Sequence, residues 1–577
     1  MENIPICTEP FSASAWRERP FDAGTAEELE RTGLSRLMSR LLSSRGVTVE
    51  NLECYLNPSL SDLAPAFELP GIDAAVEAAL DAVKSGSRIV VFGDYDCDGI
   101  CASVIAVSAL KAVGANVEVF IPHRLSEGYG MTSKSLKRML EENPGVKLVI
   151  TVDNGINSVD EVEELSRRGV EVVVTDHHLP SGILPAARAV VNPKVASSGR
   201  LDGLCGSGVA FMFANGVVTV AKKRGLYSGG PIGGSLLVMA GLATVTDIMP
   251  LTGQNRILVT ESLRRFGRFA PLGLRELYRR AARSVAMALT VRDFAFLLGP
   301  RINAAGRMSS GMEAVELLLS EDADIVGELA RMVDVFNVER KSVEQKMTEA
   351  AMSRAVAGAP AQVIELPEGH PGVAGIVAAR VMERLCAVSG GRAVPVCIVV
   401  GGHGSARSPE GLNICDAMHA CASALERFGG HAAAGGFKVE AGKIDDFRRM
   451  LCEYCARTEV GSEVAHDIVD AWVQPEDLTL EFAEEIKKME PFGEGNPEPV
   501  FAVHGAVLSD VRPLGADGRH LQLTFRNRSI PRAVWWNHGE LIEKLRGESA
   551  AEHDIRFTLE LSEYGERHLE LRLQSVI

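Results

Sequence analysis

Hydrophobic positions follow two different periods along the chain, and the change of period predicts the order of its elements. Short β-branched runs alternate with helical segments in the first half: 88–93 (RIVVFG), 117–121 (VEVFI), 147–152 (KLVITV) and 171–175 (EVVVT). Apolar strands that alternate with helices are typical of a parallel sheet with helices on both faces. A second strand–helix region, from about 360 to 460, contains the run 396–400 (VCIVV). The pattern therefore predicts an α/β protein with two α/β domains.

Helical periodicity dominates three other stretches. Residues 1–75 contain an amphipathic run, LSRLMSRLLSSRG, and are predicted to form an accessory helical segment. Residues 205–300 are mostly helical in pattern. Residues 313–356 predict one long helix or a pair of helices that connects the two α/β domains. The apolar residues that recur there at helical spacing are Ile325, Leu329, Met332, Phe336, Val343 and Met347.

The last hundred residues alternate with a period of two instead. Apolar residues at 555, 557, 559 and 561 precede a turn at Gly565, and the alternation resumes at 569, 571 and 573. This pattern predicts a β-hairpin in an antiparallel, barrel-like module. The predicted domains are therefore 1–75 (accessory), 76–312 (first α/β), 313–356 (connecting helix), 357–465 (second α/β) and 466–577 (barrel).

Composition narrows the class of protein. The chain has 577 residues, of which 46% are hydrophobic and 24% charged, as in globular proteins of several domains. Lys plus Arg number 60 and Asp plus Glu 76, so the formal charge is −16. An acidic balance argues against a protein that coats duplex DNA, because affinity for phosphate comes from clustered Lys and Arg. It does not exclude a local nucleic-acid site.

Segments and cysteines point to the cytoplasm. No run approaches 18 apolar residues, and the N-terminus lacks the basic start and apolar core of a signal peptide, so we expect no membrane span and no secretion. The eleven cysteines form no regular framework, and the CxxC of Cys452 and Cys455 has no second pair to complete a zinc ribbon. We expect reduced thiols in a cytoplasmic protein.

The most informative motif is VVFGDYDCDGICAS, in which a strand ends in Asp94, Asp96 and Asp98. Three carboxylates this close repel one another unless a cation compensates, so the motif predicts a metal site. An EF-hand loop also begins D-x-D-x-D-G. Its twelfth position here is Ile105 rather than Glu, and a strand precedes the loop instead of a helix, which excludes an EF-hand.

Three further segments carry acidic or imidazole side chains. Asp153 ends the strand KLVITV, and Asp176, His177 and His178 follow EVVVT. Asp247 lies in the apolar segment GLATVTDIMPL, where a helix cap is the alternative role. Because active sites of open α/β sheets lie at the carboxyl ends of the strands, these groups are expected to converge.

The motifs GDYDCDG, TVDNG, VTDHH and ATVTDIMPL resemble the four motifs of the DHH phosphoesterase superfamily. Their flanks IPHRLSEGYG, GPRINAAGRM, HPGVAGIVAARVMERL, GSARS, GGHAAAGGF and PFGEGNPEPVF resemble the RecJ family, bacterial single-strand-specific 5′-to-3′ DNA exonucleases, from about residue 30 to 501. The resemblance implies two divalent cations, Mn²⁺ or Mg²⁺, and an OB-fold as the C-terminal barrel. It also implies a DHH domain followed by a DHH-associated domain.

The resemblance also implies individual roles. Asp96 resembles the ligand of one metal, Asp98 of the other, and Asp153 the bridging carboxylate. His177 and Asp247 resemble further ligands, and Asp94 and Asp176 outer ligands or groups behind the ligands. His178 resembles the residue that contacts the scissile phosphate. Cys97 and Cys101 flank the site without a ligand role.

Basic residues in the other family-like segments are candidates for phosphate binding. Ser405, Arg407 and Ser408 follow the run VCIVV and are expected in a glycine-rich loop that suits a terminal phosphate. The resemblance implies that Arg124, Arg301 and Arg307 join them around the 5′-terminal phosphate. Ordinary surface arginines are the alternative. His431 is expected where the second α/β domain faces the first, where it would contact substrate or close the cleft, with a structural histidine as the alternative.

The C-terminal module carries a basic segment with aromatic residues. Residues 512–532 contain five arginines and one acid, Asp517: the arginines are Arg512, Arg519, Arg526, Arg528 and Arg532. Phe525, Trp535 and Trp536 lie within or just after this segment. Such a surface suits single-stranded nucleic acid, with a solvated face as the alternative. Neighbouring strand residues point to opposite faces, so only one of the two tryptophans is expected to meet bases.

These observations predict a metal-dependent exonuclease that releases 5′-mononucleotides from the 5′ end of single-stranded DNA in repair and recombination. A monomer that works with a helicase and a single-strand-binding protein is expected. One alternative is a DHH phosphodiesterase for short oligonucleotides or cyclic dinucleotides, against which the length and the basic barrel argue. The other is an inactive DNA-binding replication scaffold, against which the complete set of metal-type residues argues.

Overall fold

A computed structural model describes residues 16–197, 199–227, 229, 233–282, 289–389, 393–458, 468–562 and 567–577. Among these, the residues of 64–249 and 261–458 form one compact unit. The residues of 16–63, 250–260 and 468–577 form a second. No helix of the described residues is both long and apolar enough to span a membrane.

Helices and strands are numbered in chain order. The helices are α1 (Ala23–Glu30), α2 (Arg36–Ser43), α3 (Leu52–Leu56), α4 (Ile72–Lys84), α5 (Cys97–Ala112), α6 (Ser133–Glu142), α7 (Val159–Arg167), α8 (Gly206–Lys223), α9 (Gly233–Thr246), α10 (Gly253–Phe269), α11 (Leu272–Ala281), α12 (Val291–Asp293), α13 (Gly299–Met308), α14 (Met312–Leu319), α15 (Ala323–Met352), α16 (Ala374–Val388), α17 (Ile414–Ala420), α18 (Ile444–Arg457), α19 (Leu480–Lys487) and α20 (Ile542–Gly547). The strands are β1 (Arg17–Glu18), β2 (Arg88–Phe92), β3 (Asn116–Phe120), β4 (Val146–Val152), β5 (Glu171–Thr175), β6 (Ala189–Val191), β7 (Gln362–Glu365), β8 (Val396–Val400), β9 (His403–Arg407), β10 (Leu425–His431), β11 (Ala434–Val439), β12 (Ile468–Val469), β13 (Ala471–Trp472), β14 (Phe501–Leu514), β15 (His520–Phe525), β16 (Ala533–Trp535), β17 (Glu552–Ser562) and β18 (His568–Val576).

The first unit begins with a parallel five-stranded sheet in the order β3-β2-β4-β5-β6. The four predicted strands are confirmed, and β6 is an additional edge strand. Val90, Phe92 and Val149 pack against α6 and α7 on one face. Ile89 and Val91, which alternate with them, are also fully buried, so the sheet is covered on both sides as predicted.

The second sheet of this unit has the order β10-β11-β9-β8-β7. Only β7 and β8 are parallel, and the other neighbours are antiparallel. The side chains of β8 alternate between two cores. Cys397 and Val399 face the core that includes α17 and α18, whereas Ile398 faces the core that includes α15 and α16. The predicted second α/β domain is therefore present with a mixed sheet.

The segment expected to be a glycine-rich loop after β8 is a strand. Gly401 and Gly402, with φ of +55° and +79°, make a tight turn, and β9 returns antiparallel along β8. Ser405 and Arg407 consequently lie on β9, two residues apart, and point to the same face of the sheet. The loop prediction was wrong because the turn needs only Gly401 and Gly402, and the residues after them pair with β8 as β9.

The connection between the two sheets is a pair of helices, α14 and the 30-residue α15. The predicted apolar stripe is partly wrong. Ile325 is 50% exposed, and the buried face of α15 includes Val326, Ala330 and Val333 instead. This face also buries polar Asn337 and Arg340, whose Nη2 donates to Asn337 Oδ1 at 2.9 Å, so hydrophobic spacing alone does not mark it.

The second unit contains a closed five-stranded barrel. Strands β14, β15, β16, β18 and β17 pair in that order, and β17 closes onto β14, while β13 adds to β14. The alternation that predicted the last hairpin is confirmed by pairs such as Leu559 with Leu571 and Leu561 with Leu569. The turn expected at Gly565 lies outside the described residues. Apolar residues of α1 and α2 join the barrel core.

Candidate active site

The acidic motifs meet at the carboxyl edge of the parallel sheet. The chain passes from β2 to β3 on one side, then returns to β4 on the other side of β2. Such a reversal of strand order opens a crevice between the ends of β2 and β4. Asp94 follows β2 and Asp153 follows β4, so both carboxylates lie at this crevice. The predicted convergence is confirmed.

Two helix N-termini position Asp96 and Asp98. Asp96 is the N-cap of α5, and its Oδ1 accepts a hydrogen bond from the Gly99 N–H at 3.0 Å. The carboxylate of Asp98 accepts from the N–H groups of Gly206 and Ser207, at 2.8 and 2.7 Å, where α8 begins. Helix N-termini favour negative charge, which keeps these carboxylates in place.

Asp153 is held by an unusual backbone conformation. Its φ is +62°, in the left-handed region. A Cβ at Gly206 would lie 2.4 Å from Asp153 Oδ1, so only glycine fits where α8 passes this carboxylate. Strained backbone that the surroundings enforce is common at functional sites.

His177 lies at the centre of the carboxylates. Its Nε2 is 3.2 Å from Asp153 Oδ1, 3.7 Å from Asp247 Oδ2 and 3.8 Å from Asp98 Oδ2. Burial lowers the pKa of His177, which favours the neutral imidazole that can ligate a metal. Asp247 therefore belongs to this cluster and lies just beyond the end of α9.

The electrostatics of the cluster fit divalent cations. Burial, and then repulsion between neighbouring carboxylates, raises the pKa of Asp94, Asp96, Asp153 and Asp247, for Asp247 to about 9. In the described part of the chain, Asp94 Oδ1 and Asp153 Oδ1 are buried without a hydrogen-bond partner. Cations at the cluster would satisfy these oxygens and offset the repulsion.

Three groups of side chains have ligand atoms close enough together to hold a metal ion. They are Asp153 with His177 and His178, Asp98 with His177 and Asp247, and Asp94 with Asp96 and Asp153. Carboxylate oxygens with imidazole suit Mn²⁺ and Mg²⁺. No cysteine belongs to any of these groups of described residues.

Cys97 and Cys101 are buried beside the cluster, and neither belongs to a group of described residues that could hold a metal ion. The side-chain contact with Cys97, together with burial, raises the pKa of the Cys101 thiol. It therefore stays protonated.

Asp176 differs from the other acids because both of its oxygens are already bonded. Oδ2 accepts from the Ile156 N–H, and Oδ1 accepts from the N–H groups of His177 and His178. His178 Nδ1 lies 2.8 Å from the same Oδ1. Although burial opposes it, this bonding lowers the pKa of Asp176. The geometry therefore favours Asp176 behind the ligands, as the group that orients His178, over a metal ligand.

His178 faces the second α/β domain. Burial opposes its protonation, but the hydrogen bond and charge of Asp176 raise its pKa to about 9, so its ring is cationic at neutral pH. The Tyr129 hydroxyl lies 3.1 Å from His178 Nε2. The ring of His431, at the end of β10, lies parallel to that of His178 with centroids 6.4 Å apart. His431 is therefore placed where the domain faces the site, as predicted.

Arg124 lies close enough to repel both Arg307 and Arg407, and the charges of Arg124 and Arg307 act on Asp96. The Arg124 guanidinium lies over the Tyr95 ring at 4.8 Å, and Arg307 Nη1 donates to the Gly372 carbonyl oxygen at 3.0 Å. Burial and the charge of Arg124 lower the pKa of Arg307, to about 9, and that of Arg407. Repelling guanidiniums that lack a full set of counter-charges form a ready site for an anion such as phosphate.

Two predicted phosphate contacts are engaged elsewhere. Arg301 Nε donates to Asp334 at 2.8 Å and Nη1 to the Leu297 carbonyl oxygen at 2.7 Å, so its guanidinium stabilises the contact of α13 with α15. Ser408 is buried, and its hydroxyl donates to the Leu412 carbonyl oxygen at 2.8 Å. Both residues therefore make hydrogen bonds within the fold, whereas Ser405 shares a face of β9 with Arg407.

The barrel surface is less basic and less aromatic than the sequence suggested. Arg512 pairs with Asp510, Arg519 with Asp517 and Arg532 with Glu570. Within the described residues, Arg526 and Arg528 are exposed without an ion pair.

The aromatic residues of this surface separate into core and exposed positions. Phe525 and Trp535 are buried in the barrel core, which excludes Trp535 from contact with bases. Trp536 is 45% exposed and packs edge-on against His520. Trp536 is therefore the tryptophan available to bases.

Sequence reasoning missed several residues that shape the site. Tyr129 lies within the segment IPHRLSEGYG, but only the fold shows that its hydroxyl contacts His178. Gly206 and Ser207 belong to the segment CGSG, which looks like an ordinary helix start. Asn303 Oδ1 accepts a hydrogen bond from the Cys97 N–H at 2.8 Å and fixes the start of α5. The sequence marked only Arg301 and Arg307 of this segment as candidates.

Family models match three parts of the chain. The DHH family N-terminal domain matches residues 88–229, the DHHA1 domain residues 358–457 and the RecJ OB domain residues 469–575. The first two fall on the two sheets of the first unit, and the third falls on the barrel.

Curated relatives and solved structures agree. The single-stranded-DNA-specific exonuclease RecJ of Bacillus subtilis is 33% identical over 91% of this chain and 66% of its own length. RecJ of Escherichia coli is 31% identical over 94% of this chain and 96% of its own length. The crystal structure of Thermus thermophilus RecJ with Mn²⁺ is 30% identical, with a TM-score of 0.82 over 97% of this chain and 79% of that one. The same protein with Mg²⁺ gives a TM-score of 0.77.

Proposed function

The chain belongs to the RecJ family of DHH phosphoesterases, and we propose that it is a single-stranded-DNA-specific 5′-to-3′ exonuclease of DNA repair and recombination that releases 5′-mononucleotides. The observation that carries the proposal is the carboxylate–histidine cluster with the arginine cluster beside it. The first suits two-metal hydrolysis of a phosphodiester, and the second suits the phosphate at a 5′ end.

Two divalent cations, Mn²⁺ or Mg²⁺, when bound at the cluster, activate a water and stabilise the attacking and leaving oxygens of an in-line displacement. Asp94 and Asp96 would hold one cation together with Asp153. Asp98, His177 and Asp247 would hold the other, because their ligand atoms form a group of their own. Asp153 also forms a group with His177, so it would supply a ligand to each cation.

The residues around the cluster orient the strand. His178, oriented by its hydrogen bond to Asp176, would donate to a non-bridging oxygen of the scissile phosphate. Arg124, Arg307 and Arg407, with Ser405, would bind the 5′-terminal phosphate. That phosphate and the cluster then fix which bond is cut. His431 would contact the strand from the second α/β domain.

The proposal is tested with a 5′-phosphorylated single strand, its duplex and a dinucleotide, each with and without Mn²⁺. We expect Mn²⁺-dependent release of mononucleotides from the single strand and much slower release from the duplex. Cleavage confined to the dinucleotide would instead identify an oligonucleotide phosphodiesterase. Binding without any metal-dependent cleavage would identify the scaffold alternative.

Trp536→Ala and Trp535→Ala are expected to fail in different ways. Loss of an exposed stacking ring weakens single-strand binding by about 1–3 kcal/mol, whereas loss of a buried tryptophan lowers the free energy of unfolding by about 3–5 kcal/mol. Fluorescence anisotropy with a labelled single strand and thermal melting measure the two effects. Equal binding loss in both variants, without a difference in melting, would contradict the assignment.

Finer proposals concern the cell. We propose that the protein is cytoplasmic, monomeric and supplied with single strands by a helicase in the presence of a single-strand-binding protein. The free state of all ten described cysteines supports a reducing compartment. The five predicted domain ranges stay predictions at the level of their boundaries.

A further inference from the structure

Ile248 combines two features that rarely occur together. Its φ is +55°, in the left-handed region, and it is 71% exposed. The other described non-glycine residues with positive φ are Asp153 and Asn537. Asn and Asp tolerate this conformation, but for a β-branched residue it is an outlier.

The end of α9 explains the backbone but not the side chain. The Ile248 N–H donates to the Val245 carbonyl oxygen at 3.3 Å, and the Met249 N–H donates to the Thr244 carbonyl oxygen at 3.1 Å. This pair of hydrogen bonds is a Schellman motif, which places Ile248 at the position where helices usually have glycine. Glycine would form the same turn without a clash between Cβ and the carbonyl oxygen.

Packing does not account for isoleucine either. A side chain that is 71% exposed contributes little apolar burial to the fold. The residue therefore strains the backbone and presents an apolar side chain to water. Residues in strained backbone conformations cluster at functional sites, so we expect the strained conformation of Ile248 to serve function.

The position of Ile248 indicates what it would contact. It directly follows Asp247, whose Oδ2 lies 3.7 Å from His177 Nε2. If the cluster holds the scissile phosphate, as the proposed function requires, a nucleoside is covalently attached beside it. Ile248, exposed and next in the chain to Asp247, is a candidate to contact that nucleoside, and an apolar side chain suits the face of a base.

We propose that Ile248 is a substrate-contact residue that packs against the base of a nucleotide flanking the scissile phosphate. The inference rests on the proposed function. It assigns to the turn after α9 a role in gripping bases, separate from the binding of phosphate by the carboxylate and arginine clusters. Because every base has an apolar face, this contact would be independent of sequence.

The test compares wild type with Ile248→Gly on two 5′-phosphorylated single strands with Mn²⁺. One strand is unmodified, and the other has abasic sites at both nucleotides flanking the first scissile phosphate. We expect Ile248→Gly to melt about 1–3 °C higher, because glycine relieves the turn. On the unmodified strand its kcat/KM should fall about tenfold, whereas on the abasic strand it should match wild type.

Ile248→Val, which keeps a branched apolar side chain, should lose no more than about twofold. Equal kcat/KM of wild type and Ile248→Gly on the unmodified strand would overturn the inference, and so would an equal fall on both strands. If wild type cleaves neither strand, the proposed function itself fails and the inference fails with it. Melting temperatures separate each result from misfolding.

Discussion

Asp153→Asn is expected to reduce single-strand cleavage at least about 1,000-fold while the protein still folds and binds single strands. Asp153 belongs to two of the three groups that can hold a metal. Asparagine keeps the shape of the side chain and tolerates the left-handed φ of +62°. The substitution therefore removes the charge that would bridge two cations and leaves the backbone unchanged.

The same variant is expected to gain stability without metal. Burial, followed by repulsion from the other carboxylates, raises the pKa of Asp153 above its unfolded value. An acid whose pKa is raised by folding destabilises the folded state increasingly as pH rises above the unfolded pKa. Metal-free wild type should therefore lose stability from about pH 4 up to the pKa of Asp247, about 9, and Asp153→Asn should lose less.

Melting curves in EDTA and in Mn²⁺, over this pH range, measure the effect beside the cleavage assay. Mn²⁺ should raise the melting temperature of wild type strongly and that of Asp153→Asn only weakly. A cation that binds the folded state but not the unfolded state stabilises the folded protein, and the variant would bind Mn²⁺ less tightly. Asp160→Asn, an exposed acid in the first turn of α7, is the matched control and should behave like wild type. Full cleavage by Asp153→Asn, or an unchanged Mn²⁺ response, would contradict the bridging role.

The convergence of these acidic and imidazole side chains could be predicted from the sequence, because strand ends and motifs are local properties. Asp94, Asp153 and His177 each follow a run of β-branched residues, and parallel strands must end at one edge. The fold class follows from the same alternation. None of this needs knowledge of which side chains pair across the molecule.

Ion pairs and burial that depend on distant parts of the chain could not be predicted from the sequence. The ion pair of Arg301 with Asp334 forms only because α13 and α15 are in contact in the fold. In the barrel, Asp510 pairs with Arg512 and Glu570 with Arg532, which lowers the net positive charge of the five-arginine segment. The burial of each ring decides which of the two tryptophans can contact bases. Trp535 is the last residue of β16 and lies in the barrel core, whereas Trp536 follows the strand and is 45% exposed; only the closed barrel shows which of the two neighbours is buried.

Arg407→Gln is expected to lower kcat/KM for a 5′-phosphorylated single strand about 10- to 100-fold. A hydrogen bond to a charged group contributes about 1.5–3 kcal/mol, and each 1.4 kcal/mol is a tenfold change. Arg407 is the last residue of β9, and its guanidinium lies beside Gly375 at the start of α16. Burial, together with the charge of Arg124, lowers the pKa of Arg407. Glutamine removes this repulsion, so lost activity would not reflect a weaker fold.

A strand with a 5′-hydroxyl separates phosphate recognition from other effects. If Arg407 binds the terminal phosphate, Arg407→Gln should lower kcat/KM for the phosphorylated strand far more than for the hydroxyl strand, and the ratio of the two should approach one. Arg407→Lys should recover little, because a lysine cannot make the two parallel hydrogen bonds of a guanidinium.

Arg301→Gln supplies the matched control for this ratio. It removes the same charge from another family-like segment, but its guanidinium is paired with Asp334. We expect a lower melting temperature and an unchanged preference for the 5′-phosphate. If instead Arg301→Gln abolished the preference and Arg407→Gln kept it, the phosphate site would lie on α13 and not on β9. The pair of variants thus decides which element of the first unit binds the 5′ end of the single strand, because Arg301 is ion-paired with Asp334 whereas Arg407 has no ion pair among the described residues.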